Sequence, residues 1–441
     1  KYFTFYLFPI LIFIEYLVQL ITQIIIIYQN LQYNQALETD IYYLLVANFL
    51  IFLKSNLPKI NINKEPIKLN KSCKKYVKPS LKLINKVNYG KLYQVEKSNL
   101  QVLHLYGNCY QKGFAYGQLC KDDFKNMVNI LNTIFQNSKP DKIIYETFKS
   151  KDDTLKGAVL NYYHKNEKYI EDNHKFMLKG ISDSTDINLN DIIAITFIAE
   201  LYHQHCLLLS RLNHHEKLFV RTLDHFFYTD KHILRVFHNS EKNSYCELGI
   251  PGTIWTISCV SDKLICLGDT SGRLNYEKNL QGKPYYFLFK DIIQNCDNID
   301  KAKTLIEKTT RNNNLFIMIT SLIENKSLLI ESSKNLKYYD CCNFTNYLNI
   351  FSNKKIYDFN KDILFEYSEV DSLNNTILNM DDFSIDNINN SILKLYRTGG
   401  NHTMIVNDKY QMYISVNNEQ NPSYNTNLYL FDLIELFKEE N

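Results

Sequence analysis

Cys206-Leu-Leu-Leu-Ser-Arg-Leu-Asn-His-His-Glu-Lys-Leu-Phe-Val-Arg-Thr-Leu-Asp224 is the stretch of this 441-residue chain that most clearly indicates its fold. Two apolar runs, Leu207 to Leu212 and Leu218 to Leu223, flank a polar segment of Asn, His, His and Glu. Apolar runs joined by a short polar turn are typical of an antiparallel β-hairpin. The stretch therefore predicts two neighbouring strands whose outer ends lie side by side.

Three side chains of this predicted hairpin suggest a reaction centre. Cys206 opens the first strand, and Arg221 and Asp224 close the second, so strand pairing would bring them together. A neighbouring cation lowers the pKa of a thiol and increases the fraction of reactive thiolate. A lone cysteine in an apolar strand is also a common core residue. The hairpin alone leaves both interpretations open.

Further segments, taken with the hairpin, resemble the N-terminal-nucleophile (Ntn) hydrolases. The closest resemblance is to the peptidase C45 group, with the acyl-coenzyme A:6-aminopenicillanate acyltransferase and the acid-ceramidase-like proteins. Leu103 to Gly117 is similar to the opening strand and the glycine-rich start of a helix, and Gly180 to Asp191 is similar to the segment before the helix that leads to the nucleophile. Phe344-Thr-Asn346-Tyr resembles a Thr-Asn-His element, and Gly400 to Val406 resembles the closing strand. The resemblance runs from about residue 100 to about residue 415.

The resemblance implies an α+β fold, a four-layer αββα sandwich, with autocleavage of the bond between residues 205 and 206. Cys206 would then carry a free α-amine, whose pKa of about 7.7 to 8 suits a base for its own thiol. In this family pattern Arg221 would stabilise the thiolate, Asp224 would hold the amine, and the Asn346 amide would donate to the oxyanion. The family usually has a small residue before the nucleophile and Thr or Ser after it, whereas this chain has His205 and Leu207.

The N-terminal region predicts attachment to a membrane. Tyr2 to Tyr28 is almost entirely apolar and long enough to cross a hydrocarbon core as a helix. We expect a hydrophobic membrane or anchor region at residues 1–57 that contacts membrane lipid, a lysine-rich linker at 58–98, and an Ntn-hydrolase-like domain at 99–441. Glu15, Gln19 and Gln23 would share one helical face, which suggests a membrane-protein partner. A cleaved signal peptide is the competing interpretation. Localisation is therefore expected to be membrane-associated, and the sequence leaves endolysosomal, secretory and mitochondrial compartments open.

Composition and residue spacing limit the kinds of partner and cofactor that we expect. A formal net charge of +3 gives no indication of a nucleic-acid partner. The ten cysteines form no CxxC pair and no histidine cluster has zinc-like spacing, so we expect neither a metal nor another cofactor.

Apolar spacing outside the hairpin predicts the rest of the domain. A set of segments shows helical spacing: 121–135, 162–178, 189–201, 284–293 and 299–309, the last with Asn298 as its cap. Another set reads as strands: 253–260, 263–267, 315–323 and 327–330. Residues 357–392, which are rich in Asp and Asn, are expected to include a surface excursion before the last strands.

The leading hypothesis is a membrane-tethered cysteine Ntn amidohydrolase or acyltransferase. It would act on an acylated small molecule or a lipid amide through an acyl-enzyme. The first alternative is a catalytically inactive structural subunit of a membrane assembly that keeps the same fold. The second is a penicillin-acylase-like or lipase-type activity.

Overall fold

The computed structural model describes residues 76–137, 147–148, 154–201, 206–212, 216–223, 230–271, 280–312, 315–332, 335–340, 355–358, 363–366, 385, 400–419 and 421–438. All of them belong to one compact unit, Leu69–Asn441. The hydrophobic region at 1–57 lies outside these residues. Within the part of the chain that is described, no helix has both the length and the hydrophobicity to span a bilayer.

Two large sheets organise the described residues. The strands of the eight-stranded sheet are, in spatial order, β1 (Tyr76–Val77), β18 (Leu428–Asp432), β17 (Gln411–Val416), β16 (His402–Asn407), β6 (Leu218–Leu223), β5 (Leu208–Arg211), β15 (Ile363–Glu366) and β14 (Lys355–Asp358). The strands of the ten-stranded sheet are β13 (Leu336–Asp340), β12 (Lys326–Ser332), β11 (Leu315–Ser321), β10 (Ile265–Ser271), β9 (Ser258–Ser261), β8 (Tyr245–Gly249), β7 (His232–Phe237), β4 (Leu100–Leu105), β3 (Gly90–Val95) and β2 (Leu81–Val87). Neighbouring strands are antiparallel except β1 with β18 and β4 with β7.

Helices form a third layer on the ten-stranded sheet. The described helices are α1 (Cys109–Leu119), α2 (Lys121–Asn137), α3 (Leu155–Asn166), α4 (Asp172–Thr185), α5 (Leu189–Ile198), α6 (Tyr285–Asn295), α7 (Ile299–Lys308) and α8 (Leu433–Phe437). Asn298 caps α7 as expected, because its side chain accepts from the backbone N–H of Lys301.

Alternation along the strands explains why the layers stack. In β7, Ile233 and Phe237 pack in the apolar cluster shared with α1 to α7, whereas Leu234 and Val236 pack in the cluster between the two sheets. Residues two apart point to the same face of a strand. The central strands of the ten-stranded sheet, unlike the exposed edge strand β2, are therefore buried on both faces. The described residues form three of the four expected layers: one layer of helices and the two sheets. The fourth expected layer, helices on the outer face of the eight-stranded sheet, stays a prediction, because the described residues do not include it.

The glycine-rich segment has a packing role. Gly107 adopts φ +79°, a left-handed conformation that favours glycine, between β4 and α1. A Cβ on Gly113 would lie 2.2 Å from the carbonyl oxygen of Met177 in α4, so α1 and α4 cross at backbone contact. The expected strand followed by a glycine-rich helix is confirmed.

Several predicted elements differ from the observed ones. The helix expected at 162–178 is two helices, α3 and α4, because the Asn166 side chain donates to the carbonyl of Tyr162 and competes with the helical backbone. The strand expected from Thr253 begins only at Ser258, since the carbonyls of Thr253 and Trp255 accept from the Arg235 guanidinium.

Two boundaries along the chain also differ. β14 and β15 fall within or beside the excursion expected at 357–392 and join the eight-stranded sheet next to β5. The first strands begin at Tyr76, ahead of the domain boundary expected at residue 99.

Candidate active site

Cys206 lies two residues before the first residue of β5, at the start of the confirmed hairpin. β5 and β6 pair with Leu208 opposite Arg221, and the backbone N–H of Thr222 donates to the carbonyl of Leu207 (N···O 3.0 Å). The Leu207 N–H also donates to the Thr222 hydroxyl (3.1 Å). This pairing sets Cys206 opposite Leu223. Cys206 exposes 3% of its surface and belongs to the apolar cluster that includes helix α5.

Arg221 crosses from the eight-stranded sheet to the ten-stranded sheet. Its guanidinium Nη2 donates to the Asp269 carboxylate Oδ1 at 3.2 Å and to the Asp269 carbonyl at 3.3 Å. Both side chains are buried, with exposures of 0% and 1%. Cys206 and Arg221 are diagonal neighbours in the paired strands, about 7–8 Å apart at the backbone, a distance that a long side chain spans. The Arg221 side chain therefore leaves the same end of the paired strands as Cys206, and Asp269 holds its guanidinium.

Glycine at position 268 makes this crossing possible. A Cβ there would lie 2.6 Å from Cγ of Arg221 and 2.8 Å from Cδ2 of Leu208. Real Cβ atoms do not approach other atoms so closely, so any larger residue would push Arg221 or Leu208 away. Gly268 is the register partner of Ser258 in β9, so Arg221 and Ser258 belong to the same region between the sheets.

Burial moves the titration of the Asp269 carboxyl toward neutral pH. Removal from water raises the pKa of its carboxyl from 3.8 to about 6, although the charge and hydrogen bond of Arg221 oppose this increase. The carboxylate is therefore ionised at neutral pH and gains a proton in mildly acidic solution. Its protonation leaves the positive charge of Arg221 less compensated.

A buried polar network continues across the space between the sheets. His402 in β16 is the register partner of Leu223, and its Nε2 lies 3.1 Å from the Ser258 hydroxyl. The His232 ring lies edge-on to it at 5.6 Å, and its Nε2 is hydrogen-bonded to the Asn417 amide oxygen. Burial lowers the pKa of His232 to about 4, so this imidazole is neutral at physiological pH.

Buried acidic and phenolic groups on the helical side are linked to Asp269 through Tyr285. The Tyr286 N–H donates to Glu200 Oε1 at 3.3 Å, and the Tyr162 hydroxyl donates to Glu200 Oε2 at 3.5 Å. Burial raises the pKa of Tyr285 well above its ordinary value, and the neighbouring Tyr286, Asp269 and Glu200 raise it further. Tyr285 is therefore close enough to both Asp269 and Glu200 to sense their charges.

The expected site residues divide into two groups. The structure describes Cys206 and Arg221 and places them on adjacent strands. Asp224, Asn346 and the peptide bond before Cys206 lie outside the described residues, so the roles expected of them stay predictions. The sequence interpretation missed Asp269, and the signal that could have found it is an acid after the apolar run Leu264 to Leu267.

One group of described side chains has the composition of a metal site. Glu171, His174 and Asp291 have ligand atoms within 4.8 Å of one another. The Lys283 ammonium donates to both carboxylates, and His174 Nε2 lies 2.9 Å from Asp291 Oδ1. The ammonium already supplies the positive charge that a cation would bring. The arrangement supports an ion cluster joining α4 to α6.

A second buried charge cluster lies between the helices and the ten-stranded sheet. Arg235 Nε is 2.9 Å from Glu247 Oε1, and Lys290 Nζ is 3.8 Å from the same oxygen. The Thr256 hydroxyl donates to the other oxygen of Glu247 at 2.5 Å. Burial lowers the pKa of Lys290 despite the nearby carboxylate. This cluster lies on the opposite face of the sheet from Arg221 and has a structural role.

Comparison with known proteins gives partial matches. No protein-family profile matches the chain. Two Dictyostelium discoideum proteins are similar in sequence: Protein dcd1A, 27% identical over 282 residues, and Protein dcd1B, 23% identical over 271 residues. The matches cover 57% and 56% of this chain. The chain spans only 63% and 53% of the length of these two relatives.

Two solved structures with some similarity are, by name, a hydrolase and an amidase. The conjugated bile acid hydrolase from Clostridium perfringens, in a mutant form, matches 53% of this chain and 95% of its own chain at 12% identity and a TM-score of 0.34. The Caenorhabditis elegans N-acylethanolamine-hydrolyzing acid amidase ortholog matches 46% and 92% at 11% identity and a TM-score of 0.35. Both TM-scores are below 0.5.

Proposed function

We propose that this chain is a cysteine amide hydrolase of the Ntn type, in which Cys206 forms an acyl-enzyme. The observation that carries the proposal is the crossing of Arg221 between the sheets beside Cys206, with Asp269 holding its guanidinium. A buried cation next to a strand-initial cysteine favours the thiolate, which is the nucleophilic form. A core cysteine would have no need of such a neighbour.

The chemistry begins with cleavage of the bond before Cys206. The new α-amine takes the thiol proton, and the thiolate sulfur attacks the carbonyl carbon of the bound amide. The C–N bond breaks, the leaving amine takes the proton, and a thioester remains on Cys206. Water then hydrolyses the thioester; an amine in its place would give acyl transfer. Asp224 would orient the α-amine, and the Asn346 amide would donate to the oxyanion, where one such donor is typically worth about 2.7 to 4 kcal/mol.

Asp269 acts as a positioning residue in this scheme. It fixes the Arg221 guanidinium by a carboxylate contact and a carbonyl contact. Protonation of Asp269 near pH 6 would leave more of the Arg221 charge available to the thiolate. We therefore expect mildly acidic conditions to strengthen the effect of Arg221 on the thiol, while the α-amine becomes a weaker base because it is protonated.

Burial of Cys206 supports a processing step. The side chain exposes 3% of its surface in the intact chain, so an acyl substrate has little room at this thiol. Cleavage before Cys206 would free the amine and allow the preceding segment to move away. The substrate is proposed to be an acylated small molecule or a lipid amide, and residues 1–57 would hold the enzyme at the membrane.

The test is hydrolysis of a panel of acyl amides of different chain length, combined with mass spectrometry of trapped acyl adducts. The wild type should release amine and carry the adduct on Cys206, whereas Cys206→Ala should do neither. Cys109→Ala, which alters a half-buried thiol at the start of α1, is the matched control and should keep both. Hydrolysis by Cys206→Ala, or a folded wild type with neither product nor adduct, would overturn the proposal. The latter result favours an inactive structural subunit.

A further inference from the structure

The edge strand of the ten-stranded sheet exposes its apolar side chains. Six of the seven residues of β2 are exposed, and Leu81, Leu83 and Ile84 expose 40%, 48% and 50% of their surfaces. An unpaired apolar edge is a site for association, and contiguous exposed apolar surface usually marks a contact site. We call β2 and the aromatic groove beside it the β2 surface.

The groove extends the apolar surface toward α1. It has a volume of about 420 Å³ and is lined by Val87, Asn88, Tyr89, Tyr110, Gln111, Phe114 and Gln118. Tyr89 and Tyr110 expose 46% and 37% of their surfaces. Tyrosine rings are enriched where water meets the hydrocarbon of a membrane, because they have one polar and one apolar end.

The charge of the β2 surface points to an anionic partner. The segment from Tyr76 to Val95 contains four lysines and no acid. Lys86 is the direct register partner of Lys91 in β3, and like charges in that position repel each other. Among the described residues, Lys82 and Lys86 make no ion pair. A negatively charged surface would relieve this repulsion.

A second copy of the chain fits this surface poorly. Antiparallel self-pairing over the whole of β2 would set Leu81 opposite Val87 of the other copy, and therefore Lys82 opposite Lys86. That contact would occur twice. Lysines on an edge strand are a known device against such pairing. Alternation of apolar and cationic side chains suits a lipid surface, where lysines meet headgroups and apolar groups enter the headgroup boundary.

We propose that the β2 surface docks on a bilayer containing anionic phospholipid. Leu81, Leu83 and Ile84 would enter the headgroup boundary while the backbone edge stays hydrated, because unpaired N–H and C=O groups do not enter hydrocarbon. The inference goes beyond the proposed function, since it requires no chemistry at Cys206. It adds a contact within residues 76–95 that is separate from the membrane region expected at 1–57.

The test uses a local probe on the full chain, so that attachment through another segment is not mistaken for docking here. An environment-sensitive fluorophore is placed on Ile84→Cys and, as the matched control, on Ile323→Cys, with the labelled parent chain as baseline. Ile323 exposes 58% of its surface in the turn between β11 and β12, far from β2 across the sheet. Vesicles are made of neutral phosphatidylcholine alone or with phosphatidylserine, and flotation measures bound protein separately.

With vesicles that contain phosphatidylserine, the fluorophore at position 84 should show a blue shift and be quenched by membrane-embedded quenchers. The fluorophore at position 323 should show neither change. Lys82→Gln together with Lys86→Gln should weaken this docking about 25-fold, since each lysine near an anionic surface contributes about fivefold. Lys301→Gln with Lys308→Gln on α7 is the control pair. Three results would overturn the inference: an unchanged probe at position 84 on vesicle-bound protein, an equal response to neutral vesicles, or a probe already shielded without vesicles. The last would mean that another part of the chain or a second copy covers β2.

Discussion

Replacing Asp269 with asparagine should remove a pH-dependent loss of stability from the fold. Burial raises the pKa of this carboxyl from 3.8 to about 6, so between these pH values the folded state binds more protons than the unfolded state. Stability then falls as pH rises. The two pKa values differ by about 2, which corresponds to about 3 kcal/mol at 1.36 kcal/mol for each pH unit. This contribution is present below about pH 4 and is lost above about pH 6.

The assay is urea denaturation of the full chain from pH 4 to pH 7, comparing wild type with Asp269→Asn. The difference between the two free energies of unfolding isolates Asp269 from other carboxyls, such as Asp291, whose pKa is lowered by His174 and Lys283 although burial opposes this. From pH 4 to pH 7 the free energy of unfolding of the asparagine variant should rise by about 3 kcal/mol relative to that of wild type. Glu241→Gln, at an exposed loop position, is the control and should show no such trend. A flat difference, or a wild type that gains relative to the variant as pH rises, would refute the reasoning.

Four other substitutions test the packing of the fold, at the site and in the helical layer. Gly268→Ala should lower the free energy of unfolding by about 1–3 kcal/mol and reduce acyl-adduct formation, because its Cβ would displace Arg221. An unchanged denaturation midpoint and adduct yield would contradict the claim that Arg221 passes over Gly268 between the sheets. Arg235→Met should cost about 3–5 kcal/mol by leaving its buried carboxylate partner uncompensated. Lys290→Met should lower the free energy of unfolding far less, or raise it, since burial already disfavours its ammonium. Equal losses of unfolding free energy in the two variants, measured by chemical denaturation, would contradict this difference between Arg235 and Lys290. Asn298→Ala should lower the free energy of unfolding by about 1 kcal/mol, because α7 loses its N-cap. The measurement is amide hydrogen exchange, which should become faster only in the first turn of that helix.

Local patterns predicted much of the hairpin and the helices. The two apolar runs after Cys206 form β5 and β6 as predicted, because an apolar run and a polar turn are signals that act over a few residues. α2, α5, α6 and α7 were predicted for the same reason, from apolar spacing and capping within each segment. The break between α3 and α4 was missed because it depends on Asn166, whose side chain also binds the backbone of residues more than 100 positions away.

The partners of Arg221 could not be predicted from local patterns. Asp269 lies 48 positions away and meets Arg221 only because two sheets pack face to face. His402 and Ser258 are 144 positions apart and meet across the same space. Gly268 gives no sequence signal of its own, since its need for a missing Cβ appears only once Arg221 and Leu208 are in place.

The measurement that tests the central claim most directly is N-terminal sequencing of the fragments of the expressed chain, for wild type and Cys206→Ala. The account predicts a wild-type fragment that begins at Cys206 and an uncleaved Cys206→Ala chain. Cys206→Ser, which keeps a weaker nucleophile at the same position, should be cleaved slowly. A folded wild-type chain that stays intact, or cleavage at this bond in Cys206→Ala, would contradict the claim that Cys206 becomes an N-terminal nucleophile.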